Sequence, residues 1–336
     1  MGKIRLLIVN YIENSLISEL FKRDYEVATL NTRTDGHLAL PSAVEKFDLI
    51  YFAKYYPPTW DDQNILLHRT KTPIIYAFHS PSMIFHPYRL KNYVLNAILL
   101  IKLAYMKMAR PVNAFHALNT SEYNMIKSLG FRCYYVPLGV DTKLFNKGLR
   151  NNRFTIVFVG PRYGKGADML MKMVPRVLRK ASDIKFVLAG KGFLNQYFMS
   201  LRSVFRNNIE VCEWLAQKEF AELLSSSHIL LFPSRYEAFG LVVLEALSSG
   251  MPVFCFNIPG APKDIVGRYG SGAIAKPFNI GELVDNVLRS YEMWKNEPEE
   301  FERLSIACRN VALRYDWSII ANVFDDMFKK VFYEKA

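Results

Sequence analysis

Residues 228–252 read HILLFPSRYEAFGLVVLEALSSGMP, and this stretch decides the fold. His228 to Ser234 is a short apolar run ending in Pro-Ser, the pattern of a buried strand. From Gly240 the chain continues Leu-Val-Val-Leu-Glu-Ala-Leu, a helix closed by Gly250 with Pro252 just beyond. Glu237 then falls on the loop between strand and helix, and Glu245 falls about one turn into the helix. The free N–H groups of a helix N-terminus suit a phosphate. Carboxylates accept from sugar hydroxyls. A nucleotide-sugar offers both kinds of group.

Working outward, the same alternation recurs. Strand-like runs at 154–159, 184–189, 208–212, 228–232 and 252–256 are separated by helix-like segments, which predicts a parallel, doubly wound α/β sheet. The N-terminal half has comparable runs at Ile4–Val9, Tyr25–Leu30, Leu49–Phe52, Ile74–Phe78, Ala114–Leu118 and Cys133–Val136. Trp317 to Phe332 reads as a final helix. The polar, cationic stretch Asn146–Asn152 places a domain break there, giving units of 1–147 and 148–316.

A second block lies at the start of the C-terminal half. Phe154-Thr-Ile-Val-Phe-Val-Gly160 is a β-rich run ending in glycine, followed by Pro-Arg-Tyr-Gly-Lys-Gly and an apolar-periodic segment from Ala167 to Val177. It is not a P-loop: three residues separate its glycines, and Gly166 stands where a magnesium-binding hydroxyl belongs. Ala189-Gly-Lys-Gly-Phe is not a dinucleotide fingerprint either, because it follows the second strand and lacks the third glycine.

Together these blocks resemble the retaining GT-B glycosyltransferases of the family-four, or group 1, type. Pro233, Ser234, Glu237, Phe239, Gly240, Glu245, Ala246, Gly250, Pro252 and Pro259-Gly260 match that family's E-x7-E region. The resemblance implies two Rossmann-like domains facing a cleft, the first binding an acceptor and the second a nucleotide-diphosphate sugar, with 317–336 packing back on the first. It implies that Glu245 accepts from ribose hydroxyls and Glu237 from the donor sugar. It implies donor contacts from Gly160 and from the backbone of Ala238, Phe239, Gly240 and Leu241. Arg162 and Lys165 take the places of the family's diphosphate-binding cations, where fixed positive charge stabilises the leaving group. Pro161 intervenes before the arginine, so Lys165 is the firmer correspondence. Ile74-Ile-Tyr-Ala-Phe-His79 resembles the strand ending in a catalytic-edge histidine, and Val136-Pro-Leu-Gly-Val-Asp141 resembles the P-x-G-V-D turn. The glycine pair after the first strand is missing: Val9-Asn-Tyr-Ile-Glu stands there.

Composition bounds the rest. In 336 residues, 51% are hydrophobic, enough to fill two domain cores. Met1 to Asn10 reads as a first strand and not a secretory signal. Cys133, Cys212, Cys255 and Cys308 are widely spaced, as free thiols of a reducing compartment would be. These features predict a cytoplasmic protein. No cofactor is expected, and no metal, because the chain has no Asp-x-Asp and Arg162 with Lys165 supply the charge. His37, His68, His86, His116 and His228 read as structural.

Charge is uneven: residues 51–150 hold 13 Lys and Arg against 4 Asp and Glu. Such a surplus suits an anionic lipid surface or nucleic acid, and the glycosyltransferase resemblance favours the former, with no nucleic acid expected. Tyr88 to Arg110 is amphipathic and basic, and Lys102 spoils it as a membrane span. It is either a core helix of the first sheet or a helix lying in an anionic membrane plane. The expected acceptor is a glycan or a lipid-linked, membrane-proximal molecule. Two other readings share the scaffold: a GT-B sugar epimerase, and a non-catalytic basic membrane or nucleic-acid adaptor.

Overall fold

The computed structural model describes residues 2–10, 14–30, 46–54, 71–78, 112–194 and 196–334. They fall into two compact units, Met1–Gly139 with Trp317–Ala336, and Val140–Asp316. His37, His68, His79, His86 and the Tyr88–Arg110 segment lie outside the described residues.

In the first unit β1 (Ile4–Val9), β2 (Tyr25–Leu30), β3 (Leu49–Lys54), β4 (Ile74–Phe78), β5 (Ala114–Ala117) and β6 (Cys133–Tyr135) form one parallel sheet, ordered β2-β1-β3-β4-β5-β6. Alternate side chains of each strand face opposite sides. Val9, Ile50, Phe52, Tyr76 and Phe115 fill one core, with Phe52 and Tyr76 stacked at 5.4 Å. On the other face Tyr51 meets Phe324 and Phe328 of the final helix α10 (Trp317–Tyr333). The Tyr25 hydroxyl donates to Asp325 at 2.7 Å, and Arg23 donates to Asn322 at 2.6 Å. The tail helix therefore belongs to the first unit, the place that the family resemblance implies for it. Gly139 allows this, because a Cβ there would lie 2.5 Å from the Trp317 ring. The glycine of the P-x-G-V-D turn is thus a packing requirement.

His116 is one of the buried polar groups of this unit. Its Nδ1 accepts from the Tyr51 hydroxyl at 2.7 Å, and its Nε2–H donates to the Val136 carbonyl at 2.6 Å. Burial pulls its pKa down to about 4, so it is a neutral core histidine. Glu122, in α2 (Thr120–Ser128), is also buried. It accepts from the Leu118 amide at 2.9 Å, and burial pushes its pKa up to about 8.

The second unit has β7 (Thr155–Val159), β8 (Lys185–Ala189), β9 (Ile209–Cys212), β10 (Ile229–Phe232), β11 (Val253–Phe256) and β12 (Gly272–Ala275) in one parallel sheet, ordered β12-β11-β10-β7-β8-β9. Its strands are joined through α3 (Ala167–Lys180), α4 (Gln196–Val204), α5 (Gln217–Ser226), α6 (Leu241–Ser248) and α7 (Ala261–Tyr269), and α8 (Ile280–Asn296) and α9 (Pro298–Leu313) follow. Five strands match the runs read from sequence. The sixth, β12, has no such run: Gly-Ala-Ile-Ala carries little β propensity. It forms by pairing with β11, and a Cβ on Gly272 would overlap the Val253 carbonyl, so only glycine permits the approach.

The break between units lies at Gly139/Val140, eight residues before the position read from composition. Val140 donates to the Tyr315 carbonyl at 2.8 Å and bridges to Asp316, which anchors the segment to the second unit. Arg309 of α9 donates to the carbonyls of Phe145 and Ser248, each at 2.6 Å, and to that of Thr142 at 2.7 Å. Arg150, inside the stretch read as the domain break, is part-buried. Its guanidinium gathers the carbonyls of Ser227, Ser249 (2.9 Å) and Gly250 (2.7 Å), which lie at or just beyond the C-terminal ends of α5 and α6. A cation is favourable there because helix C-termini leave carbonyls unsatisfied and carry partial negative charge. Burial lowers its pKa to about 10, which still leaves it charged at neutral pH. His228 packs close by: its Nδ1 accepts from the Thr155 amide at 3.0 Å, and burial, reinforced by the Arg150 charge, takes its pKa down to about 3.

Candidate active site

The second sheet's order reverses between β7 and β10. The chain leaves β7 towards β8 and β9 on one side, then returns to β10 on the other. Loops leaving two such neighbouring strands diverge and open a crevice at their carboxyl ends. Both motifs picked out in the sequence sit on those two loops.

The loop after β7 begins at Gly160, whose φ of 89° is left-handed backbone. Its N–H donates to Ala189 at the end of β8 at 2.9 Å. A Cβ there would lie 3.4 Å from the Lys165 Cγ, so the glycine leaves room for the lysine stem. Tyr163–Lys165 makes one 3-10 turn, ended by left-handed Gly166. A Cβ on Gly166 would overlap the Pro233 carbonyl, and one on Gly164 would overlap the Tyr236 hydroxyl. The two loops are therefore interlocked through glycines.

From the other side, the loop after β10 carries Pro233 to Gly240. Gly240, with φ 77°, is the N-cap of α6. The N–H groups of Phe239, Gly240 and Leu241 have no acceptor among the described residues, as a helix start leaves them. Gly260 presses on the Glu237 carbonyl, and the Ala261 amide donates to Ala238 at 3.2 Å, so this loop is held from beneath as well.

Across the crevice the Lys165 ammonium forms an ion pair with Glu237. It also lies 5.3 Å from the centre of the Phe232 ring. Both partners are largely covered, with side-chain exposures of 31% for Lys165 and 16% for Glu237, so the pair is less screened than a surface contact. Lys165 has three donors and Glu237 four lone-pair sites, which leaves capacity on both for a ligand. Arg162 is exposed at the turn's start, and its side chain has no partner among the described residues. Glu245 is half-buried on α6, one turn past the open amides.

The structure thus brings Gly160, Lys165 and Glu237 together and sets Ala238, Phe239, Gly240, Leu241 and Glu245 along the same loop and helix. Sequence reading missed three partners. Arg235 makes a fork with Asp168, with both contacts at 2.6 Å, and lies 3.7 Å over the Tyr163 ring. Arg235 stands inside the quoted stretch, but nothing in its spacing announces Asp168. Glu213 accepts from the amides of Gly192 (3.2 Å) and Leu194 (2.9 Å) and so ties the glycine turn after β8 to the end of β9. Among the described residues no cluster of three or more His, Cys, Asp or Glu could hold a metal ion.

Two six-stranded parallel sheets, each covered by helices, and the solved structures that superpose on the chain give it the GT-B fold. Sucrose-phosphate synthase from Thermosynechococcus elongatus superposes with a TM-score of 0.76 at 14% identity, covering 99% of this chain and all of that one. Anabaena HepE, solved with UDP and glucose, gives 0.71 at 14% identity over 97% of this chain and all of its own. The family described as glycosyl transferases group 1 matches residues 140–306, nearly the whole second unit, and through that unit the chain belongs to it. A mannosyltransferase of Mycolicibacterium hassiacum, named MMP alpha-(1->4)-mannosyltransferase, is 31% identical over 56% of this chain and 46% of its own length. The gpi3 subunit of phosphatidylinositol N-acetylglucosaminyltransferase from Schizosaccharomyces pombe is 24% identical over 50% of this chain and 36% of its own. The chain spans less than half the length of these curated relatives.

Proposed function

We propose that the protein is a retaining glycosyltransferase that moves a sugar from a nucleotide-diphosphate sugar to an acceptor. The observation that carries the reading is the Lys165–Glu237 pair in the β7/β10 crevice beside the open amides of α6. Lys165 and Arg162 would offset the charge that grows on the departing diphosphate, which is where fixed cations lower a barrier most. Lys165 can keep Glu237 on one N–H while giving another to a phosphate oxygen. Glu237, so oriented, accepts from a hydroxyl of the donor sugar. Glu245 accepts from the ribose, and the amides of Phe239, Gly240 and Leu241 hold the donor's polar groups. Retention follows from a same-face displacement in which the diphosphate assists deprotonation of the acceptor; His79, which lies outside the described residues, is proposed as a further catalytic residue on the resemblance alone. Neither a cofactor nor a metal has a part in this scheme.

A nucleotide-sugar donor is favoured because HepE, with the same fold, is described with UDP and glucose. The acceptor is proposed to be membrane-proximal, on the strength of the basic 51–150 region and of a lipid-named relative. Association would be peripheral and cytoplasmic: among the described residues no helix is long and apolar enough to cross a membrane, and the four cysteines are free thiols. Incubation with UDP-, GDP- and ADP-sugars, with NMR of the released sugar or transferred product, tests the reading. Turnover of one donor class with the anomeric configuration kept is the expected result. Silence on every donor, or inversion, would refute it.

A further inference from the structure

The loop that carries Arg162 and Lys165 is short and rich in glycine. Gly160 and Gly166 have positive φ, and the turn is closed by short backbone bonds from Lys165 to Arg162 at 2.9 Å and Gly166 to Tyr163 at 3.0 Å, with a long one from Ala167 to Arg162 at 3.4 Å. A glycine-bounded 3-10 turn is soft by itself. Arg235 holds it from the facing loop by four routes. Its Nη1 donates to the Tyr163 carbonyl at 2.6 Å, and the guanidinium plane covers the Tyr163 ring at 3.7 Å. The same group forks onto both oxygens of Asp168, in the first turn of α3. The Arg235 amide donates to the Gly164 carbonyl at 2.8 Å.

That geometry also says what Arg235 is not. Its fork faces Asp168, one face is covered by Tyr163, and its side chain is 13% exposed. Burial alone would raise the Asp168 carboxyl, but the Arg235 hydrogen bonds and charge hold it below the ordinary range. The two charges cancel locally. Arg235 is therefore not a further cation for the diphosphate.

We propose that Arg235 is a positioning residue: through Asp168 and Tyr163 it fixes the 161–166 turn so that Lys165 faces Glu237 across the crevice. The catalytic readout of this proposal rests on the transferase reading, while its structural readout does not. Supporting residues of this kind matter because misplacing a charged group by about 1 Å can cost about 10²-fold in rate. A lysine at 235 would keep the charge but lose both the fork and the stacking plane.

The test compares the full-length wild type with Arg235→Ala in three measurements. Tryptic cleavage after Arg162 and Lys165, followed by mass spectrometry, should speed up about tenfold more than cleavage at other sites in the second unit, because cleavage follows the open population of the turn. With whichever UDP-, GDP- or ADP-sugar the wild type hydrolyses, kcat should fall about 10²-fold with KM little changed. In a Lys165→Ala background the same substitution should cost only a few-fold, since Arg235 acts through Lys165. Arg235→Lys should recover part of the loss. Unchanged cleavage, an equal loss in both backgrounds, or a raised KM with kcat kept would overturn the proposal. If Arg235→Ala does not fold, Tyr163→Leu removes the covering ring alone and should shift all three readouts the same way, to a smaller extent. A wild type silent on every donor sinks the transferase reading, and the tryptic result then decides the clamp by itself.

Discussion

Each sheet reverses its strand order once, between β1 and β3 in the first unit and between β7 and β10 in the second. The backbone solves both reversals in the same way. The residue after the first strand takes left-handed φ, 64° at Asn10 and 89° at Gly160. Each sends its N–H to the last residue of the next strand, Asn10 to Leu30 at 2.8 Å and Gly160 to Ala189 at 2.9 Å. Asparagine is among the few non-glycine residues that tolerate this region. The glycine missing after β1 is therefore replaced in conformation, though not in its lack of a side chain. Topology dictates the backbone, and what must pass close to it dictates the residue. At Gly160 that neighbour is the Lys165 stem.

The comparison breaks most visibly if the charges of the second reversal are removed. Lys165→Ala should lower turnover roughly 10²–10³-fold, or ~2.7–4 kcal/mol of transition-state stabilisation. It leaves Glu237 without its ion-pair partner, so a thermal melt should accompany the kinetics. Steady-state rates on the donor that the wild type uses provide the check, and near-wild-type turnover in a folded variant would detach this site from the reaction.

A second break concerns how each unit is closed. Arg150→Met keeps the bulk of the stem but strips the carbonyls of Ser227 and Ser249 of their donor, while that of Gly250 keeps the Ser305 hydroxyl at 2.8 Å. Leaving two covered acceptors unpaired should cost about 3 kcal/mol. Denaturant unfolding followed by probes in each unit should show the second unit lowered and the first unchanged. If both shift equally, the segment 140–150 belongs to neither unit in particular.

These two sites also mark how far the sequence could be read. The Phe154–Gly160 and His228–Gly250 blocks were legible because strand, turn and helix signals agree locally, and Glu237, Glu245 and Lys165 came with them. Arg150 went unnoticed because its partners are carbonyls contributed from 74–100 residues further along the chain. Backbone carbonyls are identical in every residue and leave no trace in a sequence. The same holds for β12, whose existence depends on Gly272 fitting against Val253, and for Asp168, whose role is given by Arg235 at a separation of 67. Asn10 was legible only as a departure, since its φ is a property of the chain around it.

The buried titratable groups sharpen the comparison through pH. His228 in the second unit and His116 in the first are neutral in the fold, with pKa about 3 and about 4 against an ordinary 6.5. Below about pH 6.5 the unfolded chain binds protons that the fold refuses, so both units lose stability towards acid. Glu122, in the first unit, acts on the other side. Its pKa of about 8 exceeds an ordinary 4.5, so the fold keeps a proton that the unfolded chain releases. Its contribution is complete below pH 4.5 and declines until about pH 8. Glu122→Gln should therefore flatten the first unit's decline between about pH 5 and 8, by a few kcal/mol at most. The acid limb and the second unit should not move. Unfolding free energies at stepped pH decide it, and an unaltered slope would mean that water reaches the carboxyl.

The smallest expected effects come from exchanging the two residues at the reversals. Gly160→Ala places a Cβ on left-handed backbone, a strain of roughly 1–2 kcal/mol, and puts it in van der Waals contact with Lys165. Asn10→Gly keeps the conformation, removes the amide side chain and frees the unfolded chain, so stability should fall by about 1 kcal/mol. Activity should separate the pair more clearly than stability does. Gly160→Ala displaces a lysine that faces Glu237, while Asn10→Gly restores the residue type that the resemblance anticipates after β1. Donor hydrolysis should drop for the first and hold for the second. An equal loss in both would mean that the Asn10 side chain is as much a part of the site as the Lys165 stem, and that the two reversals are alike in function as well as in backbone.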